Sequence, residues 1–245
     1  YMRTHPLTRS RMATIRSAID RSKYADQPLD PEFERQHKRM VAKLYAFLKP
    51  QVATLQRYPE SDNSVEARYA RTIAYYRRGQ FDKALPLVDG LLETHRDDPY
   101  FWQIKGDMLL SKTDIDGAVT AYRNALEVLP HATEILIAMA HAMTQRQSPE
   151  YAEEAQGALK LALTIEPGNV GAWDILARSY AYADQPGMSA YAAAEKAILL
   201  GQLPDVARYT AEAEEHIEKD TPTWFRLQDL KLAAKNYADE KQKRR

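Results

Sequence analysis

The feature that most constrains this chain is a spacing. The stretch Trp102–Pro130, WQIKGDMLLSKTDIDGAVTAYRNALEVLP, places Trp102, Gly106, Ala118, Tyr122, Ala125 and Pro130 at intervals of 4, 12, 4, 3 and 5. A hairpin of two helices accounts for each residue type. Trp102 is a large apolar wedge, and Gly106 one turn later lets a second helix backbone come close. Ala118 and Ala125 are small where the helices cross, Tyr122 fills the space between them, and Pro130 stops the second helix. The pattern recurs. Thirty-four residues before Ala118 stands Ala84, and the same step from Ala125 reaches Leu91. That upstream copy has Tyr75, Gly79 and Phe81 where an aromatic, a turn glycine and an aromatic are wanted. Downstream, Pro130 is answered by Pro167 and Ala125 by Ala162, each 37 residues on, and Trp102 by Trp173, 71 residues on. One insertion of three residues, near Gln145–Glu150 in the turn between two helices, explains these intervals.

Residues of these types at this period resemble the tetratricopeptide repeat (TPR), a helix–turn–helix unit of 34 residues. The predicted fold is therefore all-α: a TPR superhelical solenoid of antiparallel helical hairpins, with extra capping helices at both ends. The first repeat is predicted over Val65–Asp98, the second over Pro99–Ala132 and the third, with the insertion, over Thr133–Asn169. Val170–Asp184 reads as the first helix of a fourth, through Trp173, Ala177 and Tyr180. Met188–Leu200 fits both the second helix of that unit, through Ala190, Ala194 and Ala197, and the first helix of a fifth, with Gly201 and Leu203 as turn residues. Pro204–Ile217 is a further helix.

The ends read differently. Thr8 caps an amphipathic helix Arg9–Arg21, with Met12, Ile15 and Ile19 on one face. The prolines of Tyr24–Pro31 make a linker. Asp30 then caps a second helix that has Pro31 at its first position and runs to Lys49. A short helix follows from Pro50 and stops before Pro59. These helices are placed to cover the apolar face of the first repeat, as terminal caps do in solenoids. At the other end Thr221 and Pro222 open a last helix through Trp224, Phe225, Leu227, Leu230 and Leu232. Lys241–Arg245 reads as a frayed, solvated tail.

Composition removes several functions. The chain has 245 residues, with 34 basic and 34 acidic side chains, so its formal charge is zero. That balance argues against nucleic acid, which selects a clustered basic surface. There is no cysteine, hence no disulfide and no thiolate metal site. No apolar run approaches the roughly 20 residues of a transmembrane helix. His5, His37, His95, His131, His141 and His216 form no His-Glu-x-x-His and no zinc spacing. Neither a phosphate-binding glycine loop nor a Gly-x-Ser-x-Gly elbow is present. The chain by itself is read as having no catalytic residues and no cofactor.

Binding is the stronger expectation. In stacked hairpins the first helix of each repeat lines the concave side. If Trp102 and Trp173 face the hairpin interior, the groove takes Tyr69, Ile73, Tyr76 and Arg77 from the first repeat and Gln103, Asp107 and Leu110 from the second. The third supplies Ile137 and His141, and the fourth Asp174, Arg178 and Tyr182. The tyrosines equally suit packing between repeats. A clamp for a C-terminal carboxylate would need Lys and Asn, whereas the first repeat has Tyr69 and Ile73 at those places. An extended or partly unfolded apolar segment suits the mixed lining better.

The amino terminus carries a second resemblance. Tyr1–Arg11, YMRTHPLTRSR, resembles the segment that closes the protease domain in periplasmic zinc metallopeptidases of the HtpX type, narrowly those of the beta-barrel assembly-enhancing kind, where a TPR domain follows. ARYARTIAYYRRGQFDKAL, DPYFWQIKGD, SAYAAAEKAILLGQL and TPTWFRLQDL extend the likeness over most of the chain. The resemblance implies that residues 1–31 are the end of a protease domain and a linker; the residue patterns themselves place N-terminal capping helices at 32–64, an array of four to five repeats at 65–217, and a C-terminal capping helix and charged tail at 218–245. It implies zinc in the full-length protein, with His5 alone in this chain able to inherit a role near the metal. It also implies a periplasmic location and partners among the outer-membrane barrel assembly machinery and its clients. A free-standing TPR scaffold without a linked protease is the alternative reading.

Overall fold

The computed structural model describes residues 9–25, 27, 28, 30–147 and 149–243. His5 and Thr8 lie outside them. Among the described residues there are thirteen α-helices and no strand. Three helices lead in: α1 (Arg9–Asp20), α2 (Pro31–Leu48) and α3 (Gln51–Arg57). Five antiparallel pairs follow: α4 (Val65–Tyr76) with α5 (Phe81–Leu92), α6 (Pro99–Ser111) with α7 (Ile115–Val128), α8 (Thr133–Thr144) with α9 (Ala152–Ile165), α10 (Val170–Tyr182) with α11 (Pro186–Leu199), and α12 (Leu203–Glu214) with α13 (Pro222–Lys243). Each second helix also packs on the first helix of the next pair, which makes the stack continuous.

Local chemistry starts and stops these helices. Asp30, Ser64, Asp98, Asp114 and Asn169 each accept a backbone N–H of the first turn they precede, satisfying donors that have no partner inside the helix. Between the two helices of successive repeats stand Gly79, Thr113, Gln147 and Asp184, all in the left-handed region at φ 68, 62, 50 and 55°. Their intervals are 34, 34 and 37 residues, so the insertion lies after Gln147, where a 3-10 turn, Pro149–Tyr151, precedes α9. At three of these turns the next N–H returns to the carbonyl five residues back: Gln80 to Tyr75 at 3.0 Å, Asp114 to Leu109 and Gln185 to Tyr180 at 2.9 Å. That is the bond of a Schellman stop, and it fixes the reversal of the chain.

The second repeat shows why the spacing specifies a hairpin. Gly106 faces the ring of Tyr122 so closely that a Cβ there would lie 2.6 Å from Cε1. Tyr122, Ala118 and Ala125 are fully buried, each large side chain contributing roughly 1.5–3 kcal/mol by leaving water. Trp102 packs against both major core clusters, one built from α2, α4, α5 and α6 and the other from α7 to α11.

After Asp184 the structure selects one of the two readings left open by the sequence. α11 closes the fourth hairpin on α10, with Ser189 Oγ donating to the Ala177 carbonyl at 2.9 Å. α12 and α13 then stack on α11. Buried Glu195 accepts both arms of the Arg226 guanidinium, at 2.7 and 2.9 Å, and ties α13 to α11. α12 ends at Glu214 rather than Ile217. α13 runs to Lys243, into the segment expected to fray, because Ala, Lys, Glu and Gln favour helix over that stretch.

Candidate peptide-binding groove

The first helices α4, α6, α8 and α10 present one row of side chains per repeat, and α2 lies on the first of these rows. Ala42 and Ala46 of α2 are buried in the same core as Tyr69 and Ile73. Arg77, at the end of α4, donates to the Ala46 and Lys49 carbonyls at 2.8 and 3.0 Å. At its middle α2 places Arg39 in an ion pair with Asp98, the N-cap of α6. These anchors make α2 parallel to α4. Between them Lys43 sets its ammonium 4.5 Å from the centre of the Tyr100 ring. The lead-in helix thus covers the first helix of the first repeat.

The predicted groove residues divide accordingly. Tyr69 and Ile73 are 2% and 0% exposed and belong to the core; the Tyr69 ring meets Phe101 edge-on with centroids 4.9 Å apart. Of the two roles open to the tyrosines, packing is the one Tyr69 has in this structure. Arg77 is exposed but committed to α2. Tyr76, Gln103, Asp107, Leu110, Ile137, His141, Asp174 and Tyr182 are half-buried, and Arg178 is exposed. Neighbouring repeats bring several of them together. Arg178 reaches Asp174 at 3.3 Å, and Lys196 from α11 reaches the same carboxylate at 2.9 Å. The Arg178 charge also acts on His141 one repeat away, and the His141 ring pairs with Gln145 at 2.9 Å. Tyr76 and Asp107 interact across the first two repeats.

Burial sets the electrostatics. Asp107 is pushed above the ordinary carboxylate range by desolvation, against the pull of the Tyr122 hydroxyl, which donates to it at 2.7 Å, and of Lys43. Asp98 is raised by burial too, opposed by Arg39 and by backbone N–H groups. Lys43 is lowered by burial, with Glu134, Asp107 and Asp98 opposing. His141 is lowered by burial and then by Arg178. Tyr100 and Glu134 also belong to the surface around Lys43, outside the expected groove positions. Each stands three residues before one of those positions, Gln103 and Ile137, so the same helical spacing points to both. Among the described residues no three His, Asp or Glu side chains cluster as a metal site, and no helix is long and apolar enough to cross a membrane.

The stacked hairpins, their period and their left-handed turns define an all-α TPR solenoid. No protein-family model and no curated protein sequence matches the chain. Solved structures of MamA do. The chain is similar to MamA MSR-1 C2 with a TM-score of 0.56 and 19% identity, over 69% of this chain and 95% of that one. It is similar to the MamA RS-1 ArsTM double mutant with a TM-score of 0.55 and 15% identity, over 73% and 98%. For MamA 41-end from Desulfovibrio magneticus RS-1 the values are 0.54, 14%, 70% and 97%. At these identities the likeness is one of fold.

Proposed function

We propose that this chain is a protein-interaction domain whose concave groove recruits substrates or outer-membrane assembly partners to a periplasmic zinc metalloprotease. The observation that supports binding is the run of half-buried groups in the second to fourth repeats, Gln103, Leu110, Ile137, His141 and Tyr182, with exposed Arg178 among them. Such a lining, part apolar and part polar, suits an extended or partly unfolded segment. The link to a protease rests on the Thr-His-Pro-Leu-Thr segment ahead of the repeats. In that reading zinc belongs to the preceding domain, residues 1–31 are its end, and His5 is the one residue of this chain placed near the metal.

Peptide proteolysis with added zinc tests the link, comparing this chain with a form extended upstream. Cleavage by the longer form alone, stopped by a chelator, supports recruitment to a protease. If neither form cuts and no His-Glu-x-x-His is encoded upstream, the protease reading fails. The groove is tested separately with a fluorescent segment of an unfolded β-barrel protein. Tyr76→Ala with Arg178→Ala is expected to weaken its binding about tenfold, the worth of ~1.4 kcal/mol; unchanged affinity removes the groove from the account. The second reading, a free-standing scaffold without a linked protease, is equally consistent with the match to MamA chains over 95% and 98% of their length, which is a likeness of fold.

A further inference from the structure

The occupied end of the groove states what it accepts. The seated side of α2 is buried Ala42 and Ala46 with half-buried Arg39 and Lys43 beside them, while half-buried Phe47 also packs on this core. The two alanines, four residues apart, lie on one face of the helix and let its axis close onto Tyr69 and Ile73. The two cations, also four residues apart, address Asp98 and the Tyr100 ring. Asp107 and Glu134 add their charges to Lys43, and Glu66 acts on Lys38 of the same helix. Arg77 takes the last carbonyls of α2, groups that a helix leaves without partners. Lifting α2 away would uncover Tyr69 and Ile73 beside the carboxylates of Glu66, Asp98, Asp107 and Glu134, with the Arg77 guanidinium at the far end.

We infer that the groove over the first two repeats is a receptor for a basic amphipathic helix of a partner protein, with small residues at i and i+4 and cations at i−3 and i+1, for which α2 is the internal stand-in. The inference rests on the groove being a binding surface and does not depend on a linked protease. Charge complementarity chooses the partner: the vacated site carries four carboxylates, and a helix is the shape already seated there. α2 is suited to yield its place. Of its eighteen residues only Ala42 and Ala46 are buried. Its opposite face exposes Phe33, Met40, Leu44 and Leu48, between 50% and 75% each, so these side chains do little to hold the helix in its seat.

The test uses the full chain and, as probe, a fluorescein-labelled peptide of residues 34–49. Ala46→Glu in the chain puts a carboxylate into the buried line of α2 and expels the helix while leaving α4 to α8 unaltered. This variant is expected to bind the wild-type peptide at least tenfold more tightly than the wild-type chain does. Charge reversal in the peptide, R39E with K43E, abolishes that binding. The idea is overturned if the variant, cooperative in a thermal melt, binds no better than wild type, or if the reversed peptide binds equally well. It is also overturned if light scattering shows the variant pairing with a second copy, since the site would then serve self-association. Should Ala46→Glu fail to fold, hydrogen exchange on the wild-type chain decides. Excess peptide must speed exchange in α2 while α4 and α6 stay protected, and no change sinks the proposal. Arg178→Ala is expected to leave peptide binding intact while weakening the extended segment, so the two groove readings fail independently.

Discussion

Trp102 and Trp173, one in the second repeat and one in the fourth, make the same hydrogen bond. Each indole N–H donates at 2.9 Å to the carbonyl six residues earlier, Arg96 and Pro167 respectively. The bond clips the loop entering each repeat onto its first helix. Trp→Phe at either site keeps most of the apolar area and removes the donor. Each substitution is expected to cost about 0.5–1.5 kcal/mol. Because no partner is shared, the double variant should show their sum within about 0.5 kcal/mol. Urea unfolding of the three variants measures both values.

Gly106 and Gly157 both sit inside helices, with opposite expectations. Alanine gains up to about 1 kcal/mol of helix propensity over glycine. At Gly157 nothing lies within 4 Å of a new Cβ, so Gly157→Ala should stabilise by roughly that amount. At Gly106 the methyl meets the Tyr122 ring, which is buried and held by Asp107. Overpacking of that kind costs about 1–3 kcal/mol, and Gly106→Ala should lower the melting temperature. A rise would show that Tyr122 can move aside.

Thr113 holds a left-handed conformation at φ 62°, which costs an L-residue about 1–2 kcal/mol. Thr113→Gly relieves that strain and loosens the unfolded chain by about 0.4–1 kcal/mol in return. A net gain of up to about 1 kcal/mol is expected, with Gly79→Ala losing about as much at the equivalent turn. Thermal melts of both variants check the pair.

His141 titrates below its usual 6.5 because burial and the Arg178 charge disfavour the imidazolium. Between the folded value and 6.5 the unfolded chain therefore binds more protons, so stability rises with pH across that window. The contribution is complete above 6.5 and is lost as the pH falls through the window. Asp98 and Asp107 act in the opposite sense. Burial raises them above 3.8, so the folded state binds more protons just above that value and their contribution falls as the pH rises there. Urea midpoints from about pH 4.5 to 7.5 should show a slope below pH 6.5 that His141→Gln reduces. An unchanged slope assigns it to other groups.

Some of this was legible in the residues alone. The hairpins are set by contacts close in sequence, such as Trp102 with Gly106 and Gly106 with Tyr122, and the interval of 34 or 37 residues repeats them along the chain. Gly79 announced its turn because glycine is the usual left-handed residue. Thr113, Gln147 and Asp184 did not, since they occupy the same conformation against their own preference, held there by the two helices that flank them. The groove positions followed from helical spacing, which fixes the direction in which a residue points and says nothing about what covers it.

Helix α2 marks the boundary. Its sequence determines an amphipathic helix, capped by Asp30 and begun by Pro31, but it has apolar residues on two faces: Ala42 and Ala46 on one, Phe33, Met40, Leu44 and Leu48 on the other. Periodicity cannot choose between them. The four large side chains of the second face are left in water, while Val41, Tyr45 and Phe47 at its edges are half-buried. The choice falls to groups far away in the chain, Asp98, Tyr100 and Arg77, which offer charge and donors only where the small face can approach closely. Spacing along the chain determined the solenoid; complementarity across it decided that its first groove is filled.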